Sequence, residues 1–580
     1  MLLACLLFGY WELFSTEFSR TAGHITAAAG FVANILFWRE AGYFDTDSAL
    51  KPTLHLWSLG IEEQFYLVWP PLIALIATVI TLKSRAFRFA ILALLIVSFL
   101  GNLALTWREP AAAFFLPFTR FWELLLGSLL AHLANVRLPT DSGSFQRAND
   151  LVQGSAVHNA LSFAGLLLIF ASMLLLTSRQ AFPGWWVLGP SMGAALVIAA
   201  GPQAWFNRRL LSLRVCVFFG LISYPLYLWH WPILAFLRID GDNELTRPVR
   251  VAALVASVAL AWLTYSFIEK PLRFGPNARR NAVGLASVIA VIGGFAFVAH
   301  HASRPSDERE AYVAFFENRP PDYKYGHTHD LFRAGREECN FLDIVTNSVR
   351  NQIADDCTTP GSEASVLLWG DSHIQHLAAG MRASLPGSVA LLQIATSSCR
   401  PTLEQSFDQD LACERSNRFA QETIKRVRPE IVVLAQRSNH LATDWQRLAT
   451  AIRRLGARSV IVVGPVPKRS TDLYRIIARH YWPDPPEWMG DHLVEEDRLV
   501  DNQLKYTYAS SLDLHYVSIL DLMCRPTDCR AFVGPDKFED IVTHDYGHFT
   551  TSASRWVVER TIAPTVRAIL AQQQFSFVPP

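Results

Sequence analysis

The amino-acid sequence predicts two units of different class: a membrane domain of several spanning α-helices, followed by an α/β domain whose parallel sheet is covered by helices on both faces. From Met1 to about His301, apolar stretches long enough to cross a bilayer follow one another. After Ser303, strand-like and helix-like segments alternate, which is typical of a parallel sheet. We therefore divide the 580 residues into a membrane domain (1–303), a linker or extension (304–362) and an α/β domain (363–580).

The composition averages these unlike units: 51% of the residues are hydrophobic, 18% are charged, and the formal net charge is +1. A nearly neutral chain offers no electrostatic argument for binding nucleic acid, and the sequence contains no basic tract or nucleic-acid motif. We therefore expect membrane lipid as a partner of the chain, and no nucleic acid.

The apolar segments of the membrane domain differ in length. Met1–Phe14 is too short for a full crossing, and Thr21–Glu40 is compatible either with a span or with a helix lying in the membrane interface. The stretch LHLWSLGIEEQFYLVWPPLIALIATVITL begins at Leu54 and is long enough to span. Further spans are predicted at Phe87–Trp107, Phe114–Leu133, Leu161–Thr177, Trp185–Ala200, Val215–Leu237, Val251–Ile268 and Ala282–His300.

Polar side chains within the stretch that begins at Leu54 are candidates for function. His55, Glu62 and Glu63 lie near its start, and each charge placed near the bilayer centre would cost about 2.5–3.5 kcal/mol. The alternative is that these residues lie at the level of the lipid headgroups, because Trp and Tyr residues, which favour that level, are their neighbours.

Three later segments carry further polar candidates in the motifs PFTRFWELLLG, SYPLYLWHWP and YSFIEKPLR. The candidates are Arg120, Glu123, His230 and Glu269. Arg120 and Glu123 lie one helical turn apart, so a purely structural ion pair is an equally good explanation for them.

Basic loops predict the orientation of the membrane domain. Lys83–Arg88, Asn207–Arg214 and Lys270–Arg280 are rich in Lys and Arg, which favours the cytoplasmic side. The span Ala282–His300 then runs outward, so everything after Ser303 is expected on the far side of the membrane.

The eight cysteines support the same orientation. Two of them, Cys5 and Cys216, lie in apolar membrane segments, where small buried thiols are common. The other six form sequence neighbours, which indicates local disulfides in an oxidising compartment. Metal binding is the competing explanation, but no CxxC motif or Cys/His cluster supports it, so no metal is expected. The predicted pairs are Cys339 with Cys357, Cys399 with Cys413, and Cys524 with Cys529.

The α/β domain contains strand-like and helix-like segments in alternation. Its last segment, Ser552–Gln573, has helical periodicity and closes the domain. Strands are predicted within Val366–Gly370, Ser388–Ile394, Glu430–Ala435, Arg458–Val466 and His515–Met523, and helices at Arg415–Val427 and Thr443–Leu455.

The motif VLLWGDSHIQH indicates an active-site serine. Its apolar strand stops at Gly370 and Asp371, which places Ser372 at the amino end of a helix, where backbone N–H groups can stabilise an oxyanion. Near the other end of the chain, Asp545 and His548 are spaced so that the carboxylate orients the imidazole and the imidazole accepts the serine proton. The alternative for Ser372 alone is an ordinary helix cap.

Three further histidines lie close to these motifs in the sequence. We expect them to be solvated or structural: His373, His376 and His544.

GDS at the start of an α/β domain together with DxxH before its last helix resembles the SGNH/GDSL hydrolase family, over roughly Ser365 to Ile569. This resemblance implies the triad Ser372, His548 and Asp545. The family adds oxyanion donors from a GxND stretch, which this sequence lacks. The backbone N–H of Ser372 and the side chain of Asn439 are the expected substitutes, although a helix-capping role is an alternative for Asn439.

The membrane domain resembles the acyltransferase 3 family, from Met1 to about Arg273. The motifs that carry the resemblance are LHLWSLGIEEQFYLVWP, PFTRFWELLLG, SYPLYLWHWP and SFIEKPLR. The family usually begins with two more spans, which carry an Arg and a His that act on the acyl donor. Met1 falls within what would be the third span, so we expect the donor side to be incomplete in this sequence.

An acyltransferase 3 domain, an extra span and an SGNH domain together resemble the subgroup that O-acetylates bacterial surface polysaccharides, including lipopolysaccharide O-antigen. The resemblance implies a multi-pass protein of the bacterial inner membrane with its second domain in the periplasm. It also implies acetyl-CoA as the acyl donor, a sugar hydroxyl as the acceptor, and no bound cofactor. An esterase that removes acyl groups and a non-catalytic membrane component remain as alternatives.

Overall fold

The structure is a computed structural model, and it describes residues 1–41, 48–82, 84–137, 156–177, 180–241, 245–302, 307–317, 336–343, 348–361, 364–404 and 411–575. Parts of the predicted extension lie outside these ranges. The linker motif RPPDYKYGHTHD lies entirely outside them.

The first 301 residues fold into α-helices in the described ranges. In chain order they are α1 (Leu2–Glu12), α2 (Ser15–Ala29), α3 (Ala33–Glu40), α4 (Leu56–Ala77), α5 (Arg85–Arg108), α6 (Pro110–Phe115), α7 (Pro117–Arg137), α8 (Ala156–Leu175), α9 (Leu188–Ala200), α10 (Arg214–Asp240), α11 (Arg247–Thr264), α12 (Lys270–Phe274) and α13 (Ala278–His301).

Within the described ranges, six helical segments are long and apolar enough to cross a membrane. They confirm the predicted multi-span class, and they are Arg85–Arg108, Pro110–Leu133, Ala156–Leu175, Arg214–Asp240, Arg247–Phe274 and Arg279–His301. Three predicted segments differ from the expectation. The stretch that begins at Leu54 forms α4, which is not among these six segments. The segment Trp185–Ala200 contains a helix of only 13 residues, α9. The segment Thr21–Glu40 is divided into α2 and α3 by a turn in which Phe31 has a φ of 56°.

The α/β domain follows one further helix, α14 (Glu308–Glu317). Its strands are β1 (Leu342–Asp343), β2 (Ser348–Val349), β3 (Ala364–Gly370), β4 (Val389–Ala395), β5 (Ile431–Ala435), β6 (Ser459–Val463), β7 (Trp488–Met489), β8 (His515–Val517) and β9 (Cys529–Arg530). Its helices are α15 (Ser372–Gln375), α16 (Ala378–Ser384), α17 (Leu411–Val427), α18 (Trp445–Leu455), α19 (Leu473–Ile476), α20 (Glu495–Tyr508), α21 (Leu520–Met523), α22 (Thr551–Arg560) and α23 (Ile562–Phe575).

Five of the described strands form one parallel sheet in the order β4-β3-β5-β6-β8, which confirms the predicted α/β class. Successive residues of β3 enter opposite cores: Val366 and Leu368 pack on one face of the sheet, and Leu367 and Trp369 on the other. This burial on both faces explains why β3 is a continuous apolar run rather than an alternating one.

The strand order determines where a site can form. The chain leaves β3 to build β4 on one side and then crosses to build β5 on the other side. Such a reversal opens a crevice at the carboxyl ends of the two central strands, which is the usual ligand position in open parallel sheets. Ser372 follows β3 directly and therefore lies at that crevice.

Two predicted elements of the α/β domain differ from the expectation. The strand within His515–Met523 stops at Val517, because the Ser518 hydroxyl accepts a hydrogen bond from the Asp521 N–H (3.1 Å) and begins a helical turn. The final helix is split into α22 and α23, which meet at Thr561.

The predicted extension contributes to the core of the α/β domain. Tyr312, Val313 and Phe316 lie on one side of α14 and are buried in the same core as β3. The disulfide Cys339–Cys357 lies in the core on the opposite face of the sheet. The other predicted pairs also form disulfides in the structure, Cys399–Cys413 and Cys524–Cys529.

Buried ion pairs join the two domains. Arg475 of the α/β domain lies 2.8 Å from Glu17 of α2 and 2.6 Å from Glu317 of α14, and Arg479 lies 3.0 Å from Glu17. All four side chains are at most 10% exposed. Since removing one partner of a buried pair costs about 3–5 kcal/mol, these contacts hold the domains in a defined orientation.

Gly370 permits the close approach of β3 and β5, and replacing it tests this architecture. A Cβ at this position would lie 2.0 Å from the backbone carbonyl oxygen of Ala435. We expect Gly370→Ala to lower the free energy of unfolding by about 3 kcal/mol, because a backbone group cannot move aside as a side chain can. Urea unfolding of the purified protein in detergent measures the effect.

Gly387→Ala is the matched control, since no atom lies within 4 Å of its Cβ position. Equal stability of the Gly370→Ala and Gly387→Ala proteins would contradict the close packing of β3 against β5.

Candidate active site

Ser372, His548 and Asp545 form a continuous line of hydrogen bonds. The Ser372 hydroxyl lies 2.8 Å from Nε2 of His548, and Nδ1 of His548 lies 2.6 Å from Oδ2 of Asp545. Because a carboxylate only accepts hydrogen bonds, Nδ1 carries the proton and Nε2 is left to accept the serine proton. The three residues predicted from the sequence are therefore arranged as nucleophile, base and orienting carboxylate.

The DxxH spacing is explained by a turn that Asp545 stabilises. Its Oδ1 accepts hydrogen bonds from the backbone N–H groups of Gly547 (2.8 Å) and His548 (2.7 Å), while Oδ2 remains for the imidazole. Burial alone would raise the pKa of Asp545, but the neighbouring imidazoles of His548 and His544 and these hydrogen bonds hold it well below its usual range. Asp545 is therefore ionised at neutral pH, as an orienting group must be.

Asp371 positions the serine from the other side. Its Oδ1 accepts from the backbone N–H of His373 (2.8 Å), and its Oδ2 accepts from the backbone N–H of Arg437 (2.7 Å), just beyond β5. One side chain thus caps α15 and ties the ends of the two central strands together. Burial raises the pKa of Asp371 to about 6, although the two hydrogen bonds oppose the shift.

Additional imidazoles surround the base. The ring centroids of His373, His376 and His544 lie 5.0, 5.8 and 5.9 Å from that of His548. Burial lowers the pKa of His373 and of His376 well below the usual range, so both rings are neutral at pH 7. The sequence analysis expected these histidines to be either solvated or structural. The rings of His373 and His376 have the structural role, because both pack inside the domain.

The expected oxyanion donor Asn439 lies on an exposed turn after β5, with a φ of 60°. Among the described hydrogen bonds, none joins its side chain to the three catalytic candidates. Sequence reasoning missed Arg437, which lies near the site. Its guanidinium lies 4.8 Å from the ring centroid of Tyr546, and Tyr546 follows Asp545 in the chain. No residue pattern marked it, because the contact depends on the meeting of two distant loops.

Ligand atoms of His544, Asp545 and His548 lie within 4.8 Å of one another, the spacing a metal ion would need. Both ring nitrogens of His548 are, however, already engaged with Asp545 and Ser372. The donor set therefore fits a proton relay better than a metal centre.

The polar candidates of the membrane domain fall into separate groups. The buried His55 ring lies 5.8 Å from the His230 ring and 5.1 Å from that of Tyr227, whose hydroxyl donates to the backbone oxygen of His55. Arg120 and Glu123 form the ion pair that the sequence allowed, at 3.0 Å.

The three remaining carboxylates are Glu62, Glu63 and Glu269. Glu62 is exposed and Glu63 is half-buried on α4, whereas Glu269 pairs with Arg273 at 3.0 Å. Of the membrane candidates, the structure thus brings His55 to His230 and Arg120 to Glu123.

Two protein-family models match the chain. Residues 1–266 match an acyltransferase domain of the acyltransferase 3 type, and residues 338–563 match the SGNH domain that is fused to AT3 domains. Both matches confirm the resemblances found in the sequence.

Similar proteins carry names of the same kind. The chain is 29% identical over 277 residues to the putative peptidoglycan O-acetyltransferase YrhL of Bacillus subtilis, which covers 45% of this chain and 41% of that protein. It is 27% identical over 261 residues to the peptidoglycan O-acetyltransferase OatA of Listeria monocytogenes, which covers 43% of this chain and 40% of that protein. The matches thus span about two fifths of these relatives' length.

A solved structure, the periplasmic domain of a lipopolysaccharide acetyltransferase of Salmonella ser. Paratyphi A, is 20% identical, with a TM-score of 0.34, over 41% of this chain and 97% of that one. The two family matches, and not this structural likeness, establish the assignment. The chain carries an acyltransferase 3 domain followed by an SGNH domain of the type that is fused to such domains.

Proposed function

We propose that the chain is a membrane O-acyltransferase that transfers an acetyl group to a hydroxyl of a bacterial cell-surface polysaccharide. The observation that carries the proposal is the complete Ser372–His548–Asp545 line in a domain attached to an acyltransferase domain. The names of YrhL and OatA, which both contain "peptidoglycan O-acetyltransferase", support both the acyl group and the class of acceptor.

The geometry supports a two-step transfer. Ser372 Oγ bonds to the acyl carbon while His548 Nε2 takes its proton and passes it to the leaving group of the donor. A sugar hydroxyl then attacks the acyl-serine, His548 takes the proton of that hydroxyl, and the proton returns to Ser372 Oγ as the ester bond to serine breaks. Asp545 stabilises the imidazolium that forms in each step.

The donor and the location complete the proposal. Acetyl-CoA on the cytoplasmic side is the donor that the sequence resemblance implies, with no resident cofactor. The basic loops and the disulfides support an SGNH domain in the periplasm, attached to the inner membrane.

Lipopolysaccharide O-antigen is the acceptor that we propose more specifically, on the sequence resemblance alone. Mass spectrometry of surface glycans from strains with and without the gene tests it. Loss of acetyl groups from O-antigen supports this acceptor. Loss of acetyl groups from peptidoglycan alone would refute it and favour peptidoglycan, which the names of the relatives contain.

A second candidate function is removal of acyl groups, because water and a sugar hydroxyl can attack the same acyl-serine. The triad geometry favours both reactions equally. Incubation of the full chain with acetylated glycan, and separately with glycan and acetyl donor, distinguishes them. Release of acetate without any transfer would favour the esterase.

The nucleophile is tested by Ser372→Ala. The expected result is a loss of polysaccharide acetylation by about three orders of magnitude or more, because no acyl-serine can form. Acetyl groups on purified polysaccharide are counted by mass spectrometry. The control is Ser388→Ala at an exposed position before β4. Wild-type acetylation in the Ser372→Ala strain would refute the proposed role of the serine.

The orienting carboxylate is tested by Asp545→Asn. The amide oxygen preserves the turn, but the amide N–H₂ faces Nδ1 and forces the proton onto Nε2, so His548 can no longer accept the serine proton. The rate of transfer should fall by about two to four orders of magnitude while the protein keeps its thermal stability. Asp484→Asn, on an exposed loop, is the control. A rate within twofold of wild type would show that Asp545 does not set the tautomer.

A further inference from the structure

A second imidazole–carboxylate pair lies in the membrane domain, and no motif in the sequence predicted it. Nε2 of His24, on α2, lies 2.9 and 3.0 Å from the two carboxylate oxygens of Glu40, the last residue of α3. Lys51 Nζ lies 2.9 Å from Oε2 of the same carboxylate. The turn at Phe31 folds α3 back toward α2 and so brings together residues that are 16 positions apart.

The contacts of His24 determine which nitrogen is available for chemistry. Glu40 accepts a hydrogen bond, so Nε2 carries the proton and Nδ1 keeps its lone pair. His24 is 2% exposed, and no residue in the described part of the chain is within hydrogen-bonding reach of Nδ1. A buried acceptor without a partner costs about 1–3 kcal/mol, which a purely structural ion pair would not require.

The arrangement repeats that of the SGNH site. In each pair one ring nitrogen donates to a carboxylate, at 2.6 Å for Asp545–His548 and at 2.9 Å for Glu40–His24. In the SGNH domain the other nitrogen meets a hydroxyl, whereas in the membrane domain it meets no polar group of the residues that the structure describes. The hydroxyl of an alcohol that carries the acyl group toward Ser372 would complete the second pair.

A small cavity lies beside the side chain of His24. Its volume is about 20 Å³, and its lining includes Thr21, His24 and Lys51 of the membrane domain. A polar cavity of this size holds a water molecule or one small functional group. The cavity therefore admits a reacting hydroxyl or carbonyl end, and not a whole sugar.

The SGNH domain contributes one wall of this cavity. Arg475, which also lines it, is held by the ion pairs with Glu17 and Glu317 described above. Two residues earlier in the chain, the backbone N–H of Leu473 donates to the backbone oxygen of Asp545 (3.4 Å). The element that lines the cavity is thus joined to the loop that carries Asp545 and His548.

We propose that His24, oriented by Glu40, is a second general base, which acts on the acyl group before it reaches Ser372. The inference rests on the proposed function. In this step an alcohol oxygen bonds to the acyl carbon of a donor ester or thioester, and the bond from that carbon to the leaving oxygen or sulfur breaks. His24 Nδ1 takes the alcohol proton and delivers it to the leaving atom.

The test separates the two bases in the full chain. Membranes that contain each variant are given radiolabelled acetyl-CoA and polysaccharide to measure transfer, and p-nitrophenyl acetate to measure acylation and hydrolysis at Ser372 directly. We expect His24→Gln to lower transfer about 100-fold or more, as loss of a general base does, and to leave hydrolysis of the small ester unchanged. His301→Gln, at the exposed end of α13, should change neither rate.

Unchanged transfer in the His24→Gln membranes would overturn the inference, and so would an equal fall of both rates, which a structural role predicts. If the His24→Gln protein does not accumulate, Glu40→Gln serves as the second variant. It should also lower transfer and leave hydrolysis of the small ester unchanged. Two results identify failure of the proposed function itself: absence of transfer by the unaltered chain would refute the transferase, and transfer that Ser372→Ala leaves intact, instead of abolished with hydrolysis as expected, would refute the acyl-serine, whatever His24→Gln does.

Discussion

The hydrogen-bonded line from Asp545 through His548 to Ser372 is the interaction on which the SGNH domain depends. Its ends come from opposite ends of the domain: Ser372 follows the central strand β3, and Asp545 and His548 lie in the loop before α22. The line can form only because β3 and β5 approach closely at Gly370 and because Asp371 ties their ends together. The sheet therefore serves to hold two distant segments within hydrogen-bonding distance.

The joint between the domains extends this dependence into the membrane domain. Arg475 and Arg479 form ion pairs with Glu17 of α2. In the same segment, the backbone N–H of Leu473 donates a hydrogen bond to the backbone oxygen of Asp545. Buried ion pairs give orientation more than net stability, since desolvation offsets much of their attraction. The SGNH domain is therefore positioned over α2 by charge, next to the His24–Glu40 pair.

Much of this arrangement could be predicted from the sequence, because some features are local. The apolar run before GDS requires a buried strand, and the DxxH spacing follows from a turn that one aspartate can close by itself. The disulfide pairs could be predicted because the partner cysteines are close in the sequence, and the membrane spans could be predicted from long apolar runs.

Other features depend on contacts that no local pattern records. The crossing from β4 to β5 determines the crevice, yet the pairing of parallel strands is invisible in the apolar runs themselves. His24 and Glu40 meet through a turn at a Phe with positive φ, which is an uncommon conformation for that residue. Residues 304–362 are predicted only as a linker or extension, and the packing of α14 into the core could not be predicted, because its three buried side chains are too few to show a clear period.

Direct detection of the acyl-enzyme tests the central claim most directly. The full chain is incubated with acetyl donor in its membrane, quenched in acid and digested, and the peptides are sequenced by mass spectrometry. The account predicts an acetyl group on Ser372 that disappears when polysaccharide is added before the quench. Acetylated polysaccharide formed while Ser372 stays unmodified at every time sampled, or an acetyl group trapped on a different residue, would contradict it.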